Sequence, residues 1–444
     1  MTRFTITGVI ATLGLVQALA EQKPVLQLSL KQAVEVALAP EGNTRIQLAQ
    51  ELIRQAETRR AQARAALLPA IESSVSEQSQ TRNLAAFGIS ISLPIPGFQF
   101  PERVGPFNIF DVRATASQSI LDLSSVRRFQ ASRAGVQAAQ ADSEGARDQV
   151  TGQVAQAYLA ALATEAKLEA ARADLELAEA MVKLALNQKG AGTGTGIDVT
   201  RARVQAANQQ QRLLVVTNER RQAHLRLLRA MGLNLSTELE LTDRLSYTAV
   251  DSVTLEEAKA AGMKSRADLK AQQKREENAR LTYSATKLER VPSLVGFGDY
   301  GSIGTSINNA VPTRTYGVSL RVPLFDGGRR DARRAESTSQ LRQEQIRRHD
   351  LEEQIELEIR LALDALRSAE EQVKVAEEGL TLAQEEVAQA QRRYQAGVTS
   401  SLETTDAQTR LERARENRIA ALFGYNAARI DLGQAMGTIR RMIQ

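Results

Sequence analysis

The chain has 444 residues, a formal net charge of +5, 4% aromatic residues, no tryptophan and no cysteine. The absence of cysteine excludes disulfides and a cysteine nucleophile. Few aromatics and only ten prolines favour long helices with thin apolar seams over a compact core of bulky side chains. Because basic and acidic residues alternate, with no basic block interleaved with aromatics, nucleic acid is not expected as a partner.

The first twenty residues have the pattern of an export signal. Arg3 supplies a positive charge, a largely apolar segment follows, and Ala18-Leu19-Ala20 fits the small-x-small cleavage rule. We therefore predict a signal peptide at 1–20, with cleavage after Ala20; a buried N-terminal helix is the alternative. No other run approaches the roughly 20 apolar residues that a membrane-spanning helix needs.

The next segments predict helices, then strands, then one very long helical hairpin. Ser29 is a plausible N-cap of the first helix, and the second helix should end before Pro69. A helix of this length extends roughly 100 Å, far more than one domain needs. The predicted ranges are 29–38 and 44–67 for the helices, 70–79 and 109–120 for the strands, and 124–231 for the hairpin, which turns at 190–196.

The second half of the chain repeats the first. Apolar or small residues follow each other at intervals of 3 and 4, the seam of a left-handed coiled coil. Adding 205 to the first set of positions gives the second set, which identifies a tandem duplication. The two sets are Leu168, Ala171, Leu175, Ala178, Val182 and Ala185, then Val373, Ala376, Leu380, Ala383, Val387 and Ala390.

The duplication sets the predicted boundaries. The first repeat covers 21–232 and the second 254–444, with an inter-repeat linker at 233–253. Thr254 and Glu257 have the spacing of a capping box at the start of the second repeat. The remaining predicted ranges are helices at 254–263 and 266–289, strands at 292–301 and 314–324, and a hairpin at 328–436.

The strand-like segments are about ten residues long and alternate between apolar and polar positions. The last shows this best, with Tyr316, Val318 and Leu320 on one face. Such strands suit a transmembrane β-barrel, although a soluble hairpin is the alternative for each one alone. The smallest transmembrane barrels have eight strands, so four strands per chain require an oligomer. The fold class predicted from this is mainly α, with a transmembrane β-barrel.

This ordered set of motifs resembles the TolC family of outer-membrane efflux proteins over essentially the whole mature chain. The resemblance implies a homotrimer with a twelve-stranded β-barrel in the cell outer membrane and a twelve-helix tunnel in the periplasm. It also implies contact with outer-membrane lipid and docking to a periplasmic adaptor protein and an inner-membrane pump. The motifs that carry it are Leu28-Ser29-Leu30-Lys31-Gln32-Ala33, Ala65-Ala66-Leu67-Leu68-Pro69, Val253-Thr254-Leu255-Glu256-Glu257-Ala258, Val322-Pro323-Leu324-Phe325-Asp326-Gly327-Gly328-Arg329 and Tyr394-Gln395-Ala396-Gly397-Val398-Thr399-Ser400-Ser401-Leu402-Glu403.

The resemblance also implies a pore constriction made by acidic residues near the periplasmic tips. The matching positions are Glu403 and Asp406, which lie three residues apart on one helical face, and Asp198 in the first hairpin. Rings of such carboxylates favour cations. Helix capping is the alternative, because Ser400 precedes Glu403 and Thr195 precedes Asp198 by three residues.

The hairpin tips are expected to contact the adaptor. The family carries an arginine two residues after the second tip glycine, where this chain has Thr399, so any lock of the closed entrance must use other pairs. The first tip is also unusually rich in glycine, which suits tight turns. The candidate contact residues are Gly192, Thr193, Gly194, Thr195, Gly397, Val398 and Thr399.

Other features leave alternatives open. His224 and His349 stand alone in charged helices and are expected to be solvated, so no metal, cofactor or catalytic residue is predicted. The 84–107 loop, with its aromatics, is expected to be extracellular. Six arginines just after the strands would meet lipid headgroups, line the tunnel, or simply be solvated: Arg127, Arg128, Arg329, Arg330, Arg333 and Arg334.

These observations favour a duct subunit of a tripartite efflux or type I secretion system that conducts passively. A periplasmic adaptor is the first rival, but adaptors carry one hairpin between β-rich flanks, whereas this chain has two in tandem. An exported coiled-coil scaffold is the second rival, and it would have no need of strand pairs. An enzyme is disfavoured because no nucleophile–base set occurs. The cargo cannot be deduced from the sequence.

Overall fold

A computed structural model describes residues 25–40, 42–88, 102–249 and 253–443. The predicted signal peptide and its cleavage site after Ala20 lie outside the described residues. Among the described helices, none combines the length and apolarity needed to span a membrane. The elements in chain order are β1 (Leu26–Leu28), α1 (Leu30–Leu38), α2 (Thr44–Ala65), β2 (Ala70–Asn83), β3 (Arg103–Leu121), α3 (Leu123–Gly190), α4 (Gly196–Met231), β4 (Leu239–Leu241), α5 (Leu255–Ser265), α6 (Ala267–Leu288), β5 (Ser293–Gly304), β6 (Val311–Arg321), α7 (Arg329–Gln395), α8 (Ser401–Ala435) and α9 (Ile439–Ile443).

The two halves of the chain have the same element order. Each half runs strand, two shorter helices, two longer strands and two very long helices, and α9 follows the second half. The short strands β1 and β4 pair in parallel and so join the start of one half to the start of the other. The protein is therefore mainly helical, with few strands.

Helix starts are set by side-chain caps of the kind that the sequence predicts. Ser29 caps α1 and Thr254 caps α5, each in a full capping box. Asp122 caps α3 by accepting hydrogen bonds from the backbone N–H groups of Ser124 and Ser125. The caps fix where the helices begin after each strand or linker.

The four longer strands form one antiparallel sheet in the order β2-β3-β5-β6. β2 and β3 are longer than predicted: β2 continues to Asn83 and β3 begins already at Arg103. The missed part of β3 contains Gly105 and Pro106, which locally resemble a turn. Within the described residues, the outer strands β2 and β6 each pair with only one other strand.

The register gives this sheet two different faces. One row of paired residues contains no polar side chain apart from a tyrosine hydroxyl. It consists of Ile71, Ala116, Gly298 and Tyr316, one from each strand. The next row along the strands lies on the opposite face and is polar: Glu72, Thr115, Asp299 and Thr315.

The polar face also carries an ion-pair network between neighbouring strands. The Arg113 guanidinium lies 3.0 Å from a carboxylate oxygen of Asp111 and 3.0 Å from one of Asp299. The contact with Asp299 ties β3 to β5 on the polar face, while Asp111 lies on β3 beside Arg113.

The long helices pair into two hairpins along the predicted seams. α3 has 68 residues and α7 has 67, so each extends roughly 100 Å. Several seam residues are buried, which is what close approach of small side chains allows. The fully buried ones are Leu168, Ala171, Ala178, Ala185, Val373, Ala383, Val387 and Ala390.

The largest apolar core joins the first hairpin to the short elements around it. Tyr158 of α3 lies at its centre with no exposed surface. Its hydroxyl donates to the backbone carbonyl of Leu28 (2.9 Å) or to the Asp243 carboxylate (2.8 Å), so both acceptors lie within reach. Asp243 also accepts the backbone N–H of Leu30 at 2.8 Å. This core therefore fixes the β1–β4 pair against the hairpin.

Replacing Tyr158 by Phe should lower the free energy of unfolding by about 1–2 kcal/mol, because the buried Tyr158 hydroxyl and its hydrogen bonds to Leu28 and Asp243 are removed. Denaturation by urea followed by far-ultraviolet circular dichroism measures this. Tyr300→Phe is the control, since Tyr300 is largely exposed. Equal stability of the Tyr158 variant and the control would contradict the assigned role.

Candidate functional site

The tip of the first hairpin is a tight glycine-bearing turn. The backbone N–H groups of Thr193 and Gly194 both bond the carbonyl of Gln188 at 3.0 Å. Gly192 has a φ of +77°, a conformation that side chains with a Cβ rarely adopt. Thr195 then caps α4 in a capping box with Asp198. The turn thus places Asp198 in the first turn of α4.

The tip of the second hairpin is built in the same way. Gly397 has a φ of +71°, and the backbone N–H of Val398 bonds the carbonyl of Arg393 at 3.0 Å. Ser400 occupies the N-cap position of α8. Five of the seven predicted tip residues are exposed, and Gly194 and Thr399 are partly exposed, so the tips are accessible; their contact with an adaptor stays a prediction.

Two hydrogen bonds join the tips to each other. The Ser401 hydroxyl donates to the Asp198 carboxylate, and the Gln188 side-chain amide donates to the backbone carbonyl of Tyr394 at 2.9 Å. The hydroxyls of Ser401 and Thr195 hold the pKa of Asp198 below its usual value. Asp198 is therefore both a cap of α4 and a link to the second hairpin.

Glu403 and Asp406 have different surroundings. The Thr399 hydroxyl donates to the Glu403 carboxylate, and Arg393 approaches the same carboxylate at 3.5 Å. Asp406 is exposed and has no ion pair or side-chain hydrogen bond among the described residues. The structure places Asp198 between the hairpins and leaves Asp406 free in solvent.

The capping alternative for Glu403 is wrong. Ser400 stands at the N-cap position, but its side chain makes no capping hydrogen bond. Glu403 is instead held by Thr399, the residue that replaces the family's arginine, and by Arg393. For Asp198 the capping alternative is correct, but this carboxylate also accepts a hydrogen bond from Ser401 of the second hairpin.

Further from the tips, polar side chains join the two hairpins. Arg212 of α4 lies 2.7 Å from Glu412 of α8, and Arg415 of α8 pairs with Asp174 of α3. Gln209 donates to Glu412 at 2.9 Å. The sequence alone does not reveal these pairs, because the partners lie 200 to 241 positions apart and no local signal marks them.

The histidine prediction is half wrong. His349 is exposed, as expected, but His224 is mostly buried and lies 3.0 Å from Glu165. Burial and the nearby Arg220 lower the pKa of His224, so it stays neutral at physiological pH. Within the described residues, no cluster of three or more metal-ligating side chains occurs.

Comparison with known sequences identifies one family. The outer membrane efflux protein family matches residues 36–233 and 263–438, in two successive segments. The pyoverdine export outer membrane protein OpmQ of Pseudomonas putida is 25% identical over 296 residues. The matched region is 64% of this chain and 61% of OpmQ, less than two thirds of that relative's length.

Solved structures share the fold over nearly the whole chain. The Campylobacter jejuni CmeC outer membrane channel superposes with a TM-score of 0.78 at 17% identity, covering 92% of this chain and 86% of CmeC. The Vibrio cholerae outer membrane protein VceC gives 0.76 at 18% identity, covering 92% and 96%. The open state of the Neisseria gonorrhoeae MtrE outer membrane channel gives 0.77 at 18% identity, covering 94% and 90%.

Acid should separate the two tips. Because the pKa of Asp198 is depressed, its stabilising contribution is complete above about pH 3.8 and is lost as the pH falls through the lower folded value. Spin labels on cysteines introduced at Thr193 and Val398 measure the separation, since the chain has no cysteine of its own. We expect longer distances at low pH.

Ser401→Ala should give longer tip distances already at neutral pH, because it removes the donor to Asp198. Ser400→Ala is the matched control, since the Ser400 side chain makes no capping bond. If the two alanine variants behave alike, the Ser401–Asp198 bond does not hold the tips together.

Proposed function

We propose that this chain, which belongs to the outer membrane efflux protein family, is the duct subunit of a tripartite efflux or type I secretion system. Family membership places the protein in the outer membrane, extending into the periplasm, and makes it a transport protein and not an enzyme. It also decides against the two rivals, a periplasmic adaptor and an exported scaffold.

The open four-stranded sheet is the observation that carries the proposal. Its edge strands β2 and β6 have backbone groups with no partner in the part of the chain that the structure describes, and one of its faces exposes apolar side chains such as Ile71, Tyr316 and Val318. In lipid such edges must be paired, because hydrocarbon offers no hydrogen bonds. Three copies joined edge to edge give a closed barrel of twelve strands, with the apolar face towards lipid and the polar face towards the lumen.

The exposed apolar faces of the long helices also support assembly into a trimer. α4 and α7 expose large apolar side chains along their length, among them Leu214 and Val215 on α4 and Leu361 and Val375 on α7. Exposed apolar surface of this kind marks an interface. In a threefold ring these faces cover each other, and four long helices per chain give a tunnel of twelve.

The tips then form the periplasmic entrance. In the trimer, the carboxylates of Asp198, Glu403 and Asp406 surround the axis and favour cations, as charged rings do in other pores. The glycine-bearing turns dock on a periplasmic adaptor, which connects the duct to an inner-membrane pump. The duct conducts passively, so the pump selects the cargo. Pyoverdine, which OpmQ exports by its name, is a reasonable first cargo to test.

Lysine on the apolar face of β6 should block assembly, whereas lysine on the polar face should not. Val318→Lys puts a charge against lipid and should destabilise the folded trimer by about 2–4 kcal/mol. Ser319→Lys, one residue away, faces the lumen in the proposed barrel. Heat-modifiable gel migration across a urea series measures the folded fraction. Equal loss of folding in both variants would rule out the proposed orientation of the sheet.

The double variant Glu403→Ala and Asp406→Ala should raise single-channel conductance in planar bilayers and weaken cation preference, because the entrance becomes wider and less negative. Asp406→Ala alone should give most of the loss of preference, since Asp406 makes no ion pair with any residue that the structure describes, whereas Arg393 approaches Glu403. Glu378→Ala with Glu385→Ala on α7 is the charge-matched control. Unchanged current in the double variant would remove these acids from the entrance.

A further inference from the structure

The layer where the helices meet the four longer strands carries more net positive charge than the whole chain does. We call this layer the collar and define it as residues 60–69, 122–134, 284–292 and 321–334, which strand pairing brings to one level. It holds twelve Lys and Arg against four Asp and Glu, a net charge of +8. Because the chain as a whole has a net charge of +5, all remaining residues together sum to −3.

The four acids of the collar are already engaged. Asp122 accepts hydrogen bonds from the start of α3. Glu289, whose side chain is 8% exposed, lies against Arg128 and Arg333. Asp331 pairs with Arg290, and Asp326 lies 3.6–3.9 Å from the next two arginines of α7. No acid is therefore left to neutralise the other cations of the collar.

Seven collar cations have no carboxylate partner among the described residues, and six of them are exposed. They come from all four segments of the collar, so the free charge forms a band and not a single point. They are Arg60, Arg64, Arg127, Arg133, Lys287, Arg321 and Arg334.

Exposed apolar side chains lie beside these cations, at the strand ends and in the turns that follow or precede them. Leu324 is 90% exposed and Phe325 is 89% exposed, only four residues before Arg329. Leu68, Leu121 and Val322, at the ends of the strands and the turns beside them, are about half exposed. Exposed apolar side chains in the same layer as unpaired arginines are the arrangement expected where hydrocarbon gives way to phosphate headgroups.

We propose that the collar binds the anionic headgroups of glycerophospholipids in the periplasmic leaflet of the outer membrane. This inference rests on the proposed function, since it needs the strands to span that membrane. Arginine suits the role because its guanidinium donates two parallel hydrogen bonds to phosphate oxygens. In a trimer the collar is a ring of positive charge that fixes the height of the duct in the bilayer.

The test measures which lipid stays bound. The full chain, reconstituted in vesicles of phosphatidylethanolamine and phosphatidylglycerol, is extracted with mild detergent, and the lipid that it retains is quantified by mass spectrometry. The collar variant replaces Arg64, Arg127 and Arg334 by Gln, and Arg321 is left unchanged because it shares the lumen-facing side of β6 with Ser319. The control replaces Arg203, Arg221 and Arg226 of α4 by Gln, which changes the net charge equally at exposed positions far from the strands.

We expect wild type and control to retain phosphatidylglycerol above its proportion in the vesicles, and the collar variant to lose about threefold or more of that enrichment. Replacing the same three collar arginines by Lys should preserve it. In unaltered protein the enrichment should fall as NaCl rises, a measurement that needs no variant to fold.

Wild-type retention at the vesicle proportion would overturn the proposal, and so would an equal loss in variant and control. A collar variant with altered ion selectivity but unchanged lipid retention would overturn it too, because the arginines would then line the duct. Failure of the proposed function gives a different result: wild type would not enter vesicles or conduct at all. The two failures are therefore distinguishable.

Discussion

Strands β2 and β6 each leave a row of backbone N–H and C=O groups that no described residue of the chain pairs with, and the sheet between them exposes apolar side chains on one face. In water such edges and such a face favour aggregation, and in lipid unpaired backbone groups are still more costly. Closure with further copies removes both costs together. The remaining architecture follows from this closure, because the number of copies that completes the sheet also sets how many helices surround the axis below it.

Contacts within a hairpin and contacts between hairpins differ in chemistry. Within a hairpin the seam is made of alanine and other small or apolar residues, such as Ala171 and Ala383, whose burial depends on close approach. Between the hairpins, ion pairs and hydrogen bonds such as Arg415 with Asp174 and Ser401 with Asp198 lie beside apolar contacts such as Leu177 with the second seam. Polar partners exchange for water at much lower cost than apolar ones. The polar contacts at the tips should therefore open more easily than the seam within either hairpin.

The parts predicted well from sequence are those specified by local periodicity. The heptad seams, the caps Ser29 and Thr254 and the positions of the four strands all depend on residues a few positions apart. The errors come from tertiary contacts. β3 begins earlier than predicted because pairing with β2 overrides the turn propensity of Gly105 and Pro106. The spacing of Glu403 from Ser400 suggested a capping box, but Glu403 accepts a hydrogen bond from Thr399 instead. The Gln188–Tyr394 bond spans 206 positions, a separation at which a single sequence carries no signal.

Net charge, like hydrophobicity, is distributed unevenly along the chain. A net +8 lies in the short layer between strands and helices, while the rest of the chain is slightly acidic. Solubility alone would not require this separation, because interspersed charges serve that purpose as well. A bilayer does require it: a duct held by apolar strands alone can tilt and slide, whereas arginines at one level resist both movements by binding phosphates. The long hairpins make that resistance important, since a small tilt at the membrane moves tips roughly 100 Å away through a large distance.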